Sequence, residues 1–252
     1  MSEHARLLRA LHASERPLVL PNAWDARSAR VFAAAGFPAL ATPSSGIAES
    51  LGYEDRQGAP AAEMFAAAAR VARAVDVPVT VDAEGGYGLA PAELAERLLA
   101  AGAAGCNLED SRQDGGPGLL DADEQAAHLA AVRRAAGDAL VVNARVDVFL
   151  RRLGGTPEER MDLAVERATR YLEAGADCVY PIGLLDEDTI ATLVKRVPGP
   201  VNVLFHDRGP TLARLGELGV ARVTFGGGLY DAVMAGVGEM AARIRAGESP
   251  YA

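Results

Sequence analysis

Short apolar, β-branched runs alternate with alanine-rich stretches along almost the whole chain. Eight runs are expected to be strands, at 18–20, 39–41, 77–81, 105–108, 140–144, 178–180, 201–204 and 222–225. Successive strands begin about 29 residues apart on average, close to the ~30 residues of a βα unit. The pattern therefore predicts an α/β fold, a single-domain (β/α)8 TIM-type barrel within residues 1–252. A short N-terminal helix is expected at 1–16 and the barrel at about 17–246. A doubly wound open sheet is the alternative.

The stretches between the strands carry helix signals. Several begin at Asp or with an early Pro, and several end at Gly, as helix termini prefer. We expect helices at 25–35, 60–75, 91–101, 121–136, 157–174, 186–196, 210–218 and 229–246.

Composition excludes several classes of protein. The 252 residues include 34 acidic and 25 basic side chains, which give a net charge of −9. This charge argues against nucleic acid or an anionic membrane as the main partner. Cys106 and Cys178 lie inside apolar runs and are expected in the core. No apolar run approaches the ~18 residues of a membrane span, so a cytoplasmic location is the default.

Acidic residues follow two neighbouring strands. Asp82 and Glu84 lie two residues apart at the end of the third strand, so they point to the same side. Glu109 closes the fourth strand. Buried carboxylates that converge repel one another unless a cation lies between them. We therefore predict a site for Mg²⁺, with Mn²⁺ as a substitute, although helix capping or a solvent-facing loop would also explain each residue alone.

Other polar residues at the strand ends have less specific patterns. Arg145 follows an apolar run, where it could hold a substrate carboxylate in bidentate fashion or pair with a local Asp. Asp55 lies in a long polar loop, and surface exposure is its alternative. Trp24 is expected in the core or in the pocket wall. The glycine-rich segment 111–118 after the fourth strand is expected to be either a lid or a plain surface loop. The glycines at 226–228 form either a phosphate site or a tight turn.

Five motifs resemble those of the isocitrate lyase/phosphoenolpyruvate mutase superfamily. They occur in order within about 18–245 and read PNAWDA at 21–26, LGYED at 51–55, VDAEGGYG at 81–88, LED at 108–110 and ARVD at 144–147. The resemblance implies a (β/α)8 barrel that binds Mg²⁺ and a 2-oxo acid, an enolate or a phosphonate analogue. It also implies a homo-oligomer, either a dimer or a tetramer.

The resemblance also implies roles for individual residues. Asp82 would ligate the metal and contact the substrate, while Glu84 and Glu109 would hold metal-bound waters. Arg145 would bind the substrate carboxylate, and Asp55 would approach both metal and substrate. The remaining expected substrate contacts are Trp24, Ser44, Ser45 and Gly46, with backbone amides around the two serines holding the oxo acid end.

The chain departs from the family in the loop after the fourth strand. Lyases of the family carry Lys-x-Cys-Gly-His there and the mutases carry a Lys-Thr-Asn-Ser type loop. This chain reads SRQDGGPG at 111–118. The catalytic Cys is absent, which argues against cleavage of isocitrate or methylisocitrate. The missing mutase loop argues against P–C rearrangement.

These observations favour an Mg²⁺-dependent enzyme that acts on a small 2-oxo acid or 2-hydroxy dicarboxylate through an enolate. C–C cleavage such as oxaloacetate decarboxylation is the plainest case, because carbon dioxide leaves without a general acid. The first alternative is a P–C bond mutase or hydrolase acting on a phosphonate or phosphoenolpyruvate. The second is a 2-oxo acid-binding protein with little catalysis.

Overall fold

The computed structural model describes residues 2–14, 16–112, 116, 118–183 and 185–251. Strands and helices alternate through this part of the chain. In order they are α1 (Glu3–Leu11), β1 (Leu18–Leu20), α2 (Ala26–Ala34), β2 (Leu40–Ala41), α3 (Ser44–Ser50), α4 (Ala61–Ala72), β3 (Val79–Asp82), α5 (Pro91–Ala100), β4 (Gly105–Glu109), α6 (Ala122–Ala136), β5 (Val141–Val146), α7 (Pro157–Glu173), β6 (Cys178–Pro181), α8 (Glu187–Arg196), β7 (Asn202–Leu204), α9 (Leu212–Glu217), β8 (Arg222–Thr224) and α10 (Gly228–Arg245).

The eight strands close into a parallel barrel. One sheet holds β2 to β6 in chain order, and a second holds β1, β8 and β7. Two parallel bridges, Asn22↔Ala41 and Val179↔Val201, join the two sheets at both seams. The predicted TIM-type barrel is therefore confirmed, and the open-sheet alternative is wrong.

Helix α1 covers the N-terminal end of the barrel. Its Leu8 is fully buried and packs in a cluster with Leu18, Leu20 and Val141. The Ser2 hydroxyl caps the helix by accepting a hydrogen bond from the Ala5 amide at 3.1 Å. The helix spans Glu3–Leu11 and is therefore shorter than the predicted 1–16.

Helix α3 was not predicted from the sequence, which indicated a long polar loop after β2. Its first residues, Ser44 and Ser45 followed by glycine, are weak helix formers, and no side chain caps its start. The helix forms because Ile47 and Ala48 are buried in a cluster with Met64 of α4. Tertiary packing therefore outweighs the local preference at this point.

The cysteines and the hydrophobic segments agree with expectation. Cys106 and Cys178 are both buried free thiols, and burial raises the pKa of each to about 12. Within the described ranges, no helix is both long enough and apolar enough to cross a bilayer.

Helix α10 leaves an apolar stripe uncovered. Val233, Val237, Met240 and Ile244 recur at helical spacing and are 50%, 43%, 39% and 61% exposed. Contiguous exposed apolar surface of this kind marks interaction sites in proteins. In the predicted homo-oligomer, a second copy of the chain would pack against this stripe.

We therefore predict that Val237→Glu reduces the oligomer to a smaller species, because a charge in the middle of the stripe would be buried without a partner. The matched control is Ala235→Glu, which places the same charge on the opposite, exposed face of α10. Size-exclusion chromatography with light scattering measures the masses. A monomeric wild-type protein, or equal masses for the wild-type protein and Val237→Glu, would contradict the prediction.

Candidate active site

The strand register places polar side chains in layers inside the barrel. Asp82 pairs in register with Asn107 of β4, which pairs with Asn143 of β5. Two residues further along, Glu109 pairs with Arg145. Residues i and i+2 of a strand point to the same side, so β4 and β5 each carry a polar column. These columns end at the C-terminal mouth, where TIM barrels hold their active sites.

A cavity of about 480 Å³ lies at this mouth. Seven of the predicted site residues line it: Ser44, Ser45, Asp55, Asp82, Glu84, Glu109 and Arg145. The glycines at 226–228, before and at the start of α10, line it as well.

Two predicted substrate contacts lie away from the cavity wall. Trp24 makes edge-to-face contacts with Phe32 and Tyr230, the latter with ring centroids 5.5 Å apart. Gly46 packs so closely on Tyr230 that an added Cβ would lie 3.0 Å from the tyrosine Cβ. Both residues pack against Tyr230, and their direct contact with a ligand stays a prediction.

Burial and mutual repulsion perturb the carboxylates of β3 and the turn after it. Desolvation raises the pKa of Asp82, although the Arg145 charge and hydrogen bonds from the Glu84 amide and Ser44 act against this shift. Burial and the adjacent Asp82 charge raise the pKa of Glu84 to about 7. The Glu84 side chain accepts a hydrogen bond from the Gln57 amide at 2.5 Å. A cation bound near these two carboxyl groups would lower their pKa and favour their ionised forms.

Arg145 is held by two carboxylates. Its Nε and Nη2 donate to the two oxygens of Asp147 at 2.7 and 2.9 Å, which is a bidentate pair. Its Nη1 lies 2.6 Å from Glu109 Oε2 on the neighbouring strand. Local pairing, the alternative considered from the sequence, is thus what the structure shows. The predicted role of Arg145 in binding a substrate carboxylate stays a prediction.

A buried network supports this cluster from behind. Asp110 accepts hydrogen bonds from the Asp147 amide at 2.8 Å, from Arg167 Nη1 at 3.0 Å and from the Tyr171 hydroxyl at 2.8 Å. Asp110 is fully buried. Although it is adjacent to Glu109, it faces α7 because successive strand residues point in opposite directions. Its contacts anchor the backbone that carries Asp147.

Asn107 and Arg222 form part of the cavity floor and the layer beneath it. Asn107 Oδ1 accepts hydrogen bonds from Asn143 Nδ2 at 2.8 Å and from Arg222 Nη2 at 3.3 Å. Since the carbonyl oxygen is taken by these donors, the amide nitrogen of Asn107 is the group left for a ligand. Arg222 is fully buried, and its Nε and Nη1 have no hydrogen-bond partner among the described residues.

Several lining residues carry no specific sequence signal. Arg56 lies beside Gln57, and both have left-handed φ values, 65° and 58°, in the turn that presents the Gln57 amide to Glu84. Arg151, Tyr180 and His206 also line the cavity. They follow or end strands β5, β6 and β7, so their place along the barrel was the only available indication.

The oxygen ligands present suit a hard cation, but they do not form a complete coordination site by themselves. Among the described residues, no group of three His, Cys, Asp or Glu side chains is close enough to hold a metal together. Glu109 is turned toward Arg145, while Asp82 has no ion-pair partner within the described ranges. Mg²⁺ keeps several waters and takes few direct carboxylates. Asp82 as the direct ligand, with Glu84 and Glu109 reached through water, therefore fits the arrangement.

Half of the predicted lid at 111–118 falls outside the described residues. Positions 113–115 and 117 are not described, so the lid prediction stays untested. At the start of the segment, Ser111 is buried and forms an antiparallel bridge with Leu119.

Comparison with known proteins gives a consistent result. The family model described as phosphoenolpyruvate phosphomutase matches residues 8–245. An uncharacterized protein of Mycobacterium tuberculosis is 38% identical over 248 residues, which cover 96% of this chain and 92% of that protein. The 2-methylisocitrate lyase of Bacillus subtilis is 30% identical over 217 residues, which cover 83% of this chain and 69% of the lyase.

Solved structures agree over nearly the whole chain. A putative phosphonomutase from Burkholderia cenocepacia has a TM-score of 0.89 and 42% identity, covering 96% of this chain and all of that one. A phosphonopyruvate hydrolase in complex with oxalate and Mg²⁺ has a TM-score of 0.88 and 26% identity, covering 99% and 89%. An oxaloacetate acetylhydrolase with the inhibitor 3,3-difluorooxaloacetate has a TM-score of 0.85 and 25% identity, covering 96% and 86%.

We predict that Arg167→Met lowers the free energy of unfolding by about 3 kcal/mol, because it leaves the buried Asp110 carboxylate without its counter-charge. The Tyr171 hydroxyl and the Asp147 amide still bond Asp110, which keeps the loss near the lower end of the usual range. The control is Arg170→Met in the next turn region of α7, whose pairs with Asp123 and Glu166 are exposed and should contribute less than ~1 kcal/mol.

Urea unfolding followed by circular dichroism measures both variants. Equal losses for Arg167→Met and Arg170→Met would show that the buried network does not anchor the site as described.

Proposed function

The chain belongs to the phosphoenolpyruvate mutase family within the isocitrate lyase/phosphoenolpyruvate mutase superfamily, and we propose that it is an Mg²⁺-dependent enzyme that cleaves a C–C bond of a small 2-oxo or 2-hydroxy dicarboxylate. Its relatives include the C–C lyases 2-methylisocitrate lyase and 2,3-dimethylmalate lyase. Oxaloacetate decarboxylation is the plainest reaction of this type. It proceeds through the enolate of a pyruvate unit.

The observation that carries this proposal is the state of Asp82. Its carboxylate lines the cavity and is partly buried, and among the described residues it forms no ion pair, although the Arg145 charge lies near enough to act on it. The cost of a carboxylate that loses water without a direct ion pair is only partly compensated. A divalent cation bound there would remove that cost, and the phosphonopyruvate hydrolase of similar fold holds Mg²⁺ together with oxalate.

Bound Mg²⁺ would supply a Lewis acid next to the 2-oxo and carboxylate oxygens, where it stabilises developing negative charge. The chain's own residues bind and orient the ligand. The amides at the start of α3, around Ser44 and Ser45, lie at one side of the cavity. The amide nitrogen of Asn107 forms the floor, and Asp55 lies at the exposed edge. The backbone amides of α3 and the amide nitrogen of Asn107 donate hydrogen bonds that hold the oxo acid end in one orientation, which lowers the entropic cost of reaction.

The missing loop cysteine does not weaken this assignment. Decarboxylation releases carbon dioxide, so the segment after β4 need not protonate a leaving group. The charged groups expected to act, Asp82, Glu84, Glu109 and Arg145, come instead from the ends of β3, β4 and β5, which the structure describes in full.

P–C bond cleavage of a phosphonate is the second candidate. It is supported by the likeness to a putative phosphonomutase and to a phosphonopyruvate hydrolase. A 2-oxo acid-binding protein with little catalysis remains the third. The predicted cytoplasmic location also stays a prediction.

A substrate panel separates these functions. The purified protein is incubated with Mg²⁺ and, in turn, oxaloacetate, methylisocitrate, malate-type acids, 2-oxoglutarate and phosphonopyruvate. Formation of pyruvate from oxaloacetate supports the proposal. Phosphate release from phosphonopyruvate with oxaloacetate left intact would favour P–C chemistry. Mg²⁺-dependent binding without any product would leave only a binding protein.

We predict that Asp82→Asn weakens Mg²⁺-dependent oxalate binding by at least about a hundredfold, since losing even a supporting partner of a metal ligand costs 10–100-fold. Asn keeps the shape of the side chain but removes its charge. The control, Asp138→Asn, changes an exposed carboxylate in the short turn before β5, at the other end of the barrel.

Isothermal titration calorimetry with Mg²⁺ and with EDTA measures these affinities. Oxalate binding by Asp82→Asn that equals that of the wild-type protein, or wild-type binding that EDTA does not change, would contradict the metal assignment.

A further inference from the structure

Carboxylates already engage three of the five N–H donors of Arg145. One edge of its guanidinium is occupied by both oxygens of Asp147, and Nη1 is occupied by Glu109. A second anionic group of the substrate would have to displace one of these carboxylates from a largely buried ion pair. Removing one partner of such a pair is strongly unfavourable. A cation that is not already paired with carboxylates would bind that group without this cost.

Arg151 has the properties that this role requires. It lies in the segment after β5 and lines the same cavity as Asp82 and Arg145. Its Nε donates to the Ser111 hydroxyl at 3.0 Å, and its backbone amide donates to the Asp147 carbonyl at 2.8 Å. Its terminal nitrogens Nη1 and Nη2 form no hydrogen bond or ion pair with any part of the chain that the structure describes.

The anchoring of Arg151 runs through the same carboxylate that holds Arg145. The Ser111 hydroxyl, which accepts from Arg151, donates to Asp147 Oδ2 at 2.5 Å. The base of the Arg151 guanidinium is thus fixed relative to Arg145. A guanidinium that is already positioned loses less side-chain entropy when it binds an anion. Arg56, the third arginine of the lining, is exposed and lies in a tight turn, so it is the weaker candidate.

The charge of the cavity also suits a second anionic group. Four carboxylates and three arginines line it, which is a slight negative excess when all are ionised. A divalent cation would convert this into a slight positive excess. Such a cavity favours a dianion, whose oxo acid end occupies the Asp82 side and whose second group needs a separate cation.

Building on the proposed function, we propose that Arg151 is the specificity-determining residue of the site. Its free Nη1–Nη2 edge binds the distal anionic group of a short 2-oxo dianion, either a carboxylate or a phosphonate. Arg145 then orders the carboxylates around it and is not the main contact of that distal group.

The test compares a ligand that has a distal anionic group with one that lacks it. Calorimetry in the presence of Mg²⁺ measures the affinities of oxalate, which mimics the oxo acid end alone, and of 3,3-difluorooxaloacetate, which adds the distal carboxylate. Phosphonopyruvate forms a third arm, and its affinity relative to 3,3-difluorooxaloacetate identifies which anionic group the site prefers.

Arg151→Gln should weaken 3,3-difluorooxaloacetate binding roughly 10–100-fold, the range for a lost charge-assisted hydrogen bond, and leave oxalate binding within about twofold. Arg151→Lys keeps a charge but loses the planar fork, so it should lie between the wild-type protein and Arg151→Gln. The matched control is Arg152→Gln. Arg152 is adjacent and exposed but lines a separate groove with Pro157 and Asp186, so its change should alter neither affinity.

Two results would overturn the inference alone. In the first, the wild-type protein binds both ligands, and Arg151→Gln binds each of them with the wild-type affinity. In the second, Arg151→Gln loses oxalate and 3,3-difluorooxaloacetate to the same degree, which would show a general disturbance of the site. A wild-type protein that binds neither ligand with Mg²⁺ would instead overturn the proposed function, and the inference with it.

Discussion

The bidentate ion pair between Arg145 and Asp147 is the contact on which the candidate active site depends. It fixes a cation at the end of β5, and because Arg145 also reaches Glu109, it sets the position of a carboxylate on β4. Among the residues that the structure describes, Asp82 on β3 lies near this cluster without an ion pair of its own. The cluster therefore determines which carboxylate a metal ion meets first, and it leaves the distal part of a ligand to Arg151.

The interior of the barrel carries more polar side chains than stability alone would favour. Asn107 and Asn143 form a hydrogen-bonded layer below the cavity, and Arg222 lies beneath it with two nitrogens that have no partner among the described residues. Unsatisfied buried donors cost free energy. Departures from good local packing rules are expected at functional sites. Here the layer holds the Asn107 carbonyl and leaves its amide nitrogen for the ligand.

Much of the architecture follows from the sequence, because the alternation of apolar strands and alanine-rich helices is a local signal that covers the whole barrel. The acidic residues Asp82, Glu84 and Glu109 were also identified, since spacing places them at strand ends. Helix α3 was not predicted, and pairing of Arg145 with a local Asp was only one of two alternatives, because both features depend on contacts between distant or competing groups. No sequence pattern indicated a role for Arg151, because that role depends on which cavity arginine is already paired with carboxylates.

The most direct test of the account is a crystal structure of the protein with Mn²⁺ and oxalate, with the metal located by its anomalous scattering. The account predicts one metal in the cavity, about 2 Å from an Asp82 carboxylate oxygen, the distance typical of Mg²⁺–oxygen bonds. Oxalate should bind the metal, and Glu84 and Glu109 should reach it through waters. A cavity without metal under these conditions, or a metal bound away from Asp82, would contradict the central claim.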